Sequence, residues 1–148
     1  MTTKRRIAIL DEYGKHVAAV YVAQGTIDFE SADLEGFIVP GLTTLRGRSF
    51  RNATMYWAMM AGADLSGCNF EGADLRGASL RDTLLVGANL SRANLGLDNL
   101  GGGTSLQGAN LTKAVLDGGR VSGARFDAHT VFPDGFDPHA AGMVVDGD

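Results

Sequence analysis

The chain has little of what most function classes require. It holds one cysteine, one tryptophan and three histidines in 148 residues, and aromatics make up 7% of it. A single thiol, Cys68, excludes an internal disulfide framework. No apolar run approaches the ~20 residues of a membrane helix. The basic start Met1-Thr2-Thr3-Lys4-Arg5-Arg6 leads into Ile7-Ala8-Ile9-Leu10, which meets Asp11-Glu12 at once. That run is too short for an export signal, so a cytoplasmic location is expected. His16, His129 and His139 lie far apart without metal-ligand spacing. Gly101-Gly102-Gly103 is followed by no lysine and has no strand-to-helix context, so it is not a phosphate cradle. Asp64 and Asp74 resemble a reactive pair until their separation is placed on a 20-residue coil, where they fall on opposite faces. The position is better suited to hydrogen-bonding its own corner. No catalytic residues, no cofactor and no metal are expected, and the chain is not read as an enzyme.

What the chain does have is leucine, alanine, 21 glycines and a period. Leu65, Phe70, Leu75, Leu80, Leu85, Leu90, Leu95 and Leu100 recur every five residues. After a one-residue slip, Leu106, Leu111, Leu116, Val121, Phe126 and Val131 resume the count. Two residues before most of them stands something small: Ala63, Cys68, Ala73, Ala78, Thr83, Ala88, Ala93, then Ala109, Ala114, Gly119 and Ala124. Five is neither the 3.6 of a helix nor the 2.0 of a strand. It fits a chain that turns a corner about every five residues, with a large and a small residue pointing inward. Four sides make a coil of about twenty residues, stacked at the inter-strand spacing of ~4.8 Å. No repeat buries its apolar side alone, but stacked neighbours do. Cys68 then occupies a small inward slot and packs as a small hydrophobe.

The segments Ala63-Asp64-Leu65-Ser66-Gly67, Ala73-Asp74-Leu75-Arg76-Gly77, Ala88-Asn89-Leu90-Ser91-Arg92 and Ala109-Asn110-Leu111-Thr112-Lys113 resemble the A(D/N)LXX motif of pentapeptide-repeat proteins. The resemblance covers residues 43–132. It implies an all-β fold, a right-handed quadrilateral parallel β-helix with non-repeat terminal caps. The spacing is compatible with four sides but does not set the hand.

Four segments follow. Residues 1–26 carry two apolar runs around Asp11-Glu12-Tyr13-Gly14-Lys15 and read as a β-hairpin capping the array, with a short helix over 17–24 as the alternative. Residues 27–42 hold Phe29, Leu34 and Val39 and form an irregular first coil that slips at Pro40-Gly41. Residues 43–132 are the array. In it Arg48 and Asp98 stand where small residues are expected, and the 101–105 stretch is read as one extra residue at a corner; this deformed coil is either a contact site or a tolerated insertion. Residues 133–148 form a closing tail. Its pattern, from Thr130-Val131-Phe132-Pro133 through Gly135-Phe136-Asp137-Pro138, resembles the end of many bacterial pentapeptide-repeat proteins, and Pro138 can start a short helix. Phe132 and Phe136 are expected to plug the open end. The alternative is a homodimer contact through Phe136, Met143, Val144 and Val145, since an uncovered edge invites association.

With twenty residues per coil, Trp57, Gly77 and Leu97 share an outward column beside Tyr56, Arg76 and Gly96. Tyr and Trp are favoured interface anchors. Tyr56, Trp57, Arg76 and Leu97 are therefore the candidate contact patch for a protein partner, unless Trp57 lies down over its neighbours. Leu84 and Val86 make a secondary candidate on another face. Over 43–132 nine basic residues face seven acidic ones, a net charge of about +2 within a chain of −4. The family resemblance raises a DNA-mimicking, gyrase-binding role, and duplex DNA is densely negative, so this count weighs against it. The arginines scatter over all faces with no stacking platform, which disfavours nucleic acid as a partner. The reading is a non-enzymatic protein–protein interaction module, with gyrase protection or an antidote binding one toxin as alternatives.

Overall fold

In the computed structural model, which describes residues 3–10, 16–24, 28–39 and 41–147, the five-residue count becomes a chain that stacks on itself. Thr44 bridges Asp64, Ser49 bridges Asn69, Thr54 bridges Asp74 and Met59 bridges Ser79, each pair parallel and 20 residues apart. The bridged residue is the one before each large core residue, so the bridges form four columns and the coil has four sides. Between coils, the Leu65 amide donates to Leu84 O at 2.7 Å and the Phe70 amide to Asn89 O at 2.7 Å. At each corner the small residue donates back to the large one three before it, as Ala73 does to Phe70 O at 2.9 Å and Ala78 to Leu75 O at 2.9 Å. That is a β-turn. Its third residue adopts positive φ, 68° at Gly67 and 68° at Gly72, which glycine does without steric cost. Asp64 and Asp74 serve these corners: their Oδ1 atoms accept from the Ser66 amide at 3.1 Å and the Arg76 amide at 3.2 Å.

The axis is filled by the large residues. Phe29, Phe50 and Phe70 stack face to face, with centroids 4.8 and 5.0 Å apart. Met55, Leu75 and Leu95 fill the next column, all fully buried, with the small slots of Ala53, Ala73 and Ala93 beside the Phe column. Arg48 holds a small-slot position only with its backbone; its guanidinium turns outward to Asp28 at 3.0 Å.

Bridge spacing shows where the count departs from twenty. Ile38 pairs with Met59 at 21 residues while Thr44 pairs with Asp64 at 20. The extra residue therefore lies between 39 and 44, where the sequence places the slip; Pro40 itself lies outside the described residues. The later slip is a larger event than the count implies. Ser79 pairs with Ser105, Leu84 with Asn110, Asn89 with Val115 and Asn94 with Arg120, all 26 apart. Six residues, 98–103, leave the coil as a loop. Thr104, buried, takes the small slot and donates to Leu95 O at 3.2 Å, the corner bond Ala78 makes to Leu75. Leu100, counted inward from the sequence, is 80% exposed. Asp98, counted as a small-slot residue, belongs to the loop. A second displacement follows: Asn110 pairs with Val131 at 21 residues. Thr130 therefore takes the small slot that an unbroken count in fives gives to His129, Phe132 becomes the inward residue, and Val131 turns outward at 47% exposure.

At the N-terminal end, β1 (Lys4–Leu10) pairs antiparallel with β2 (His16–Ala23). The helix alternative for 17–24 gives way to this strand; the turn at residues 11–15 lies outside the described residues. Alternation along β1 sends Ile7 and Ile9 into one buried cluster with Phe29 and Leu34. At the other end β3 (Arg125–Phe126) pairs parallel with β4 (Val144–Val145). Phe132 meets Phe126 edge-on at 5.4 Å and stacks on Phe136 at 5.3 Å. The short helix expected after Pro138 is a turn: Asp137 Oδ1 accepts the amides of His139 at 3.0 Å and Ala140 at 3.1 Å, and the chain then bends back into β4. Among the described residues the regular elements are all strands, with no helix.

Candidate protein-contact site

The column of Trp57, Gly77 and Leu97 exists as the spacing predicts, but its geometry is set by the loop at 98–103. Trp57 adopts φ 58°, which is uncommon for a bulky residue and costs energy unless neighbours hold it. They do. The indole lies over Gly77 one coil on, where a Cβ would come within 2.3 Å of Trp57 Cδ1. Its Nε1 donates to Asp98 Oδ2 at 2.8 Å. Tyr56 packs against the indole with centroids 4.5 Å apart. The Tyr56 hydroxyl donates to Asn99 Oδ1 at 2.5 Å and accepts from the Asn99 amide at 2.9 Å.

Asp98 also organises its own loop. Its Oδ1 accepts the Leu100 amide at 2.8 Å and the Gly102 amide at 2.8 Å. The Trp57 and loop hydrogen bonds favour the ionised form and hold its carboxyl below the usual range. The loop is thus clamped at its start, and Leu100 stands at its tip.

Arg76 completes the surface from the coil below Tyr56. It grips Asp74 with two bonds, Nε to Oδ1 at 2.9 Å and Nη2 to Oδ2 at 2.7 Å, and this pairing holds the Asp74 carboxyl below its ordinary value. Its guanidinium also lies over the Tyr56 ring, 5.2 Å from the centroid. Leu97 is 53% exposed and rests on Gly123, another glycine one coil on. Of the four residues singled out from the sequence, Tyr56, Trp57 and Arg76 come together as one packed cluster, and Leu97 extends the face toward the C-terminal end. Trp57 is mainly a strut for the loop, at 37% exposure. The sequence reading flagged the deformed coil around Asp98 as a contact-site alternative but counted Asp98 and Leu100 on the coil, and it did not single out Asn99 or Leu100 for the patch.

The secondary candidate is less assembled. Leu84 is 44% exposed in the outward column between Asp64 and Asn110, with Val86 half-buried beside the next corner. Of the terminal candidates, Phe132 and Phe136 are half-buried against the core, Met143 is buried, and Val144 and Val145 are exposed. Cys68 donates to Leu45 O at 2.9 Å, and burial pushes its thiol up to about 12. Among the described residues no group of three or more His, Cys, Asp or Glu side chains is placed to hold a metal ion. Nor is any helix among them long and apolar enough to cross a membrane.

Stacked parallel bridges, a small and a large inward residue per side, and asparagine- or aspartate-closed corners define a repeat protein of five-residue units. A family model described as pentapeptide repeats matches in 8 copies, over residues 42–77, 73–96 and 102–127. The chain belongs to the pentapeptide-repeat family. The matched segments break between 96 and 102, where the loop leaves the coil. Among solved structures, AT2G44920, a pentapeptide-repeat protein from the Arabidopsis thaliana thylakoid lumen, is 32% identical over 68% of each chain, with a TM-score of 0.53. Alr5209, a pentapeptide-repeat protein from Nostoc PCC 7120, is 30% identical over 82% of this chain and 87% of its own, with a TM-score of 0.35. QnrB1, a plasmid-mediated fluoroquinolone resistance protein, is 19% identical over 79% of each chain, with a TM-score of 0.34. No curated protein matches.

Proposed function

We propose that this chain is a non-enzymatic protein-binding module: a right-handed quadrilateral β-helix, closed by its terminal segments, that presents a contact surface of Tyr56, Arg76, Leu97 and the loop 98–103. One observation carries the reading. The loop is held in a single geometry by Trp57 and Tyr56, and it projects Leu100, 80% exposed, beside an exposed Leu97. Ordering an apolar tip against solvent has no benefit for the core, whose axis is already filled. A partner that buries both leucines gains what the isolated chain forgoes, and the ordering cost of the loop is met before binding. Among the described residues the axis is filled by buried side chains, which disfavours a small ligand there.

The terminal segments are read as caps. Ile7 and Ile9 at one end and Phe132, Phe136 and Met143 at the other add to the buried cluster instead of leaving its ends wet. A buried Met143 also removes one of the residues a homodimer contact would use. A cytoplasmic location remains the expectation from sequence. The DNA-mimic reading toward gyrase is disfavoured by the positive array, in which Arg46, Arg76 and Arg92 already occupy the carboxylates of Asp64, Asp74 and Glu71.

The test is affinity capture from a lysate of the source organism with the wild-type chain and a Leu97→Ser, Leu100→Ser variant whose circular dichroism is unchanged. A partner retained by the first and lost by the second supports the surface. Equal retention, or retention by neither, counts against it. Trp57 is left intact in this variant because its loss would release the loop itself.

A further inference from the structure

Beside this surface, toward the C-terminal end, lies an open groove of about 680 Å³. Its apolar wall is Leu97, Leu116 and Phe136, and its polar groups are Arg76, Asn94, Arg120 and Ser122, with no carboxylate among the lining residues. Two glycines, Gly96 and Gly119, also line it. A Cβ at Gly96 would come 3.3 Å from Ser122 O, and one at Gly119 would come 3.1 Å from Leu116 O, so a side chain at either position would be tight against backbone. Asn94, which lines the groove, uses its Oδ1 to accept the Gly96 amide at 3.1 Å, so its NH₂ is not spent on that corner. Arg76 is engaged with Asp74. Arg120 is different: its guanidinium has no ion pair or hydrogen bond among the described residues.

We propose that this groove receives an acidic side chain of a partner protein, flanked by leucine or an aromatic residue, on an extended segment. The inference rests on the protein-binding reading and names the partner's chemistry. An unpaired guanidinium beside an amide NH₂ and a hydroxyl is a donor set for one carboxylate. A doubly charged phosphate would want the second arginine, which Asp74 already neutralises. A free small molecule is a poor fit, because small-ligand sites bury most of their ligand and this groove is open along one side. An open groove with an apolar wall and a cationic rim fits an extended segment laid along it. Across the ridge of Leu116 and Phe136 lies a second depression, lined by Asp117 and Asp134. That opposite charge sets the side: the acidic residue belongs on the Arg120 side of the ridge, because across it the residue would meet two carboxylates.

The test is a ¹H–¹⁵N NMR titration with two blocked peptides, N-acetyl-Leu-Glu-Leu-amide and N-acetyl-Leu-Gln-Leu-amide. The glutamate peptide is expected to give saturable shifts at the amides of Gly96, Gly119 and Ser122, with a Kd of about 1 mM. The glutamine peptide should bind about tenfold more weakly, and Arg120→Ala should abolish that difference while leaving the rest of the spectrum in place. Arg120→Lys, which keeps a point charge but not the planar fork, should fall between. No saturable shift at these amides, equal affinity for the two peptides, or an unchanged preference in Arg120→Ala would overturn the inference. A lysate partner that Arg120→Ala retains and the Leu97, Leu100 variant loses would sink the groove while leaving the protein-binding reading standing.

Discussion

Trp57 Nε1 donates to Asp98 Oδ2 at 2.8 Å across 41 residues of chain. This bond ties a corner of one coil to a loop that leaves the stack two coils later. It explains why a tryptophan can hold a positive φ and why a loop with three glycines has a fixed start. The remaining behaviour of the surface follows from it.

The chain has a single tryptophan, so its emission reports this contact directly. The Asp98 carboxyl is held below its ordinary range, chiefly by the Trp57 bond. A depressed carboxylate contributes stability above its unfolded pKa, and loses it as pH falls through the folded value. Emission should therefore hold from neutral pH to about 4, near the ordinary aspartate value, and change only below it. Asp98→Asn should abolish that acid transition, and a fluorescence titration of both proteins checks this.

Gly77 and Gly87 have nearly the same backbone, φ 70° and 68°, but different neighbours. A Cβ at Gly87 meets nothing within 4 Å, while one at Gly77 meets the Trp57 ring at 2.3 Å. Gly87→Ala should cost only the left-handed strain, about 1–2 kcal/mol. Gly77→Ala should cost more and shift Trp57 emission as well. Urea unfolding followed by circular dichroism separates the two.

Deleting residues 98–103 joins Leu97 to Thr104 and restores the unbroken count Leu95, Thr104, Leu106 at the corner. Because Thr104 already makes the corner bond to Leu95 O at 3.2 Å, the stack should close without loss of cooperativity. The midpoint of thermal unfolding should stay within a few degrees, while Trp57 emission moves toward that of exposed indole. A collapse of the transition would show that the loop supports the fold.

Phe50 lies between Phe29 and Phe70 at 4.8 and 5.0 Å. Phe50→Ala opens a cavity in a one-residue-wide axis that cannot repack from the side. It should cost about 3–5 kcal/mol, read as a lower urea midpoint.

Cys68 should not react with a maleimide at pH 8 in the folded protein, since burial pushes its thiol up to about 12. Labelling should appear only with unfolding, at a rate that follows the denaturant concentration. Fast labelling of the native chain would show that the coil around residue 68 opens locally.

Most of the core was legible in the sequence because the inward positions are chemically simple. A large apolar residue every five, with a small one two before it, is the direct imprint of one side of the coil. Asp64, Asp74 and the asparagines at equivalent positions announced their corners for the same reason. The count failed at Leu100 and Asp98 for an arithmetic reason: an excursion of six residues and a slip of one leave the same remainder in fives. A later slip misplaced Val131, where an inward Phe132 sits one residue further on. A cue to the loop was present, since Asp98 in a small slot before three glycines fits a loop better than a coil.

The sequence by itself determined the repeat, the four-sided stacking interval and the outward column that holds Trp57, Gly77 and Leu97. These depend on spacing within the chain, and spacing is what a sequence records. Only the tertiary structure decided that Trp57 lies on Gly77, that Asp98 and Asn99 return to hold it and Tyr56, and that Arg120 stands unpaired in a groove. Those relations join residues one or more coils apart. They turn on side-chain direction and on which hydrogen-bond partners remain free once the backbone ladder has taken its own.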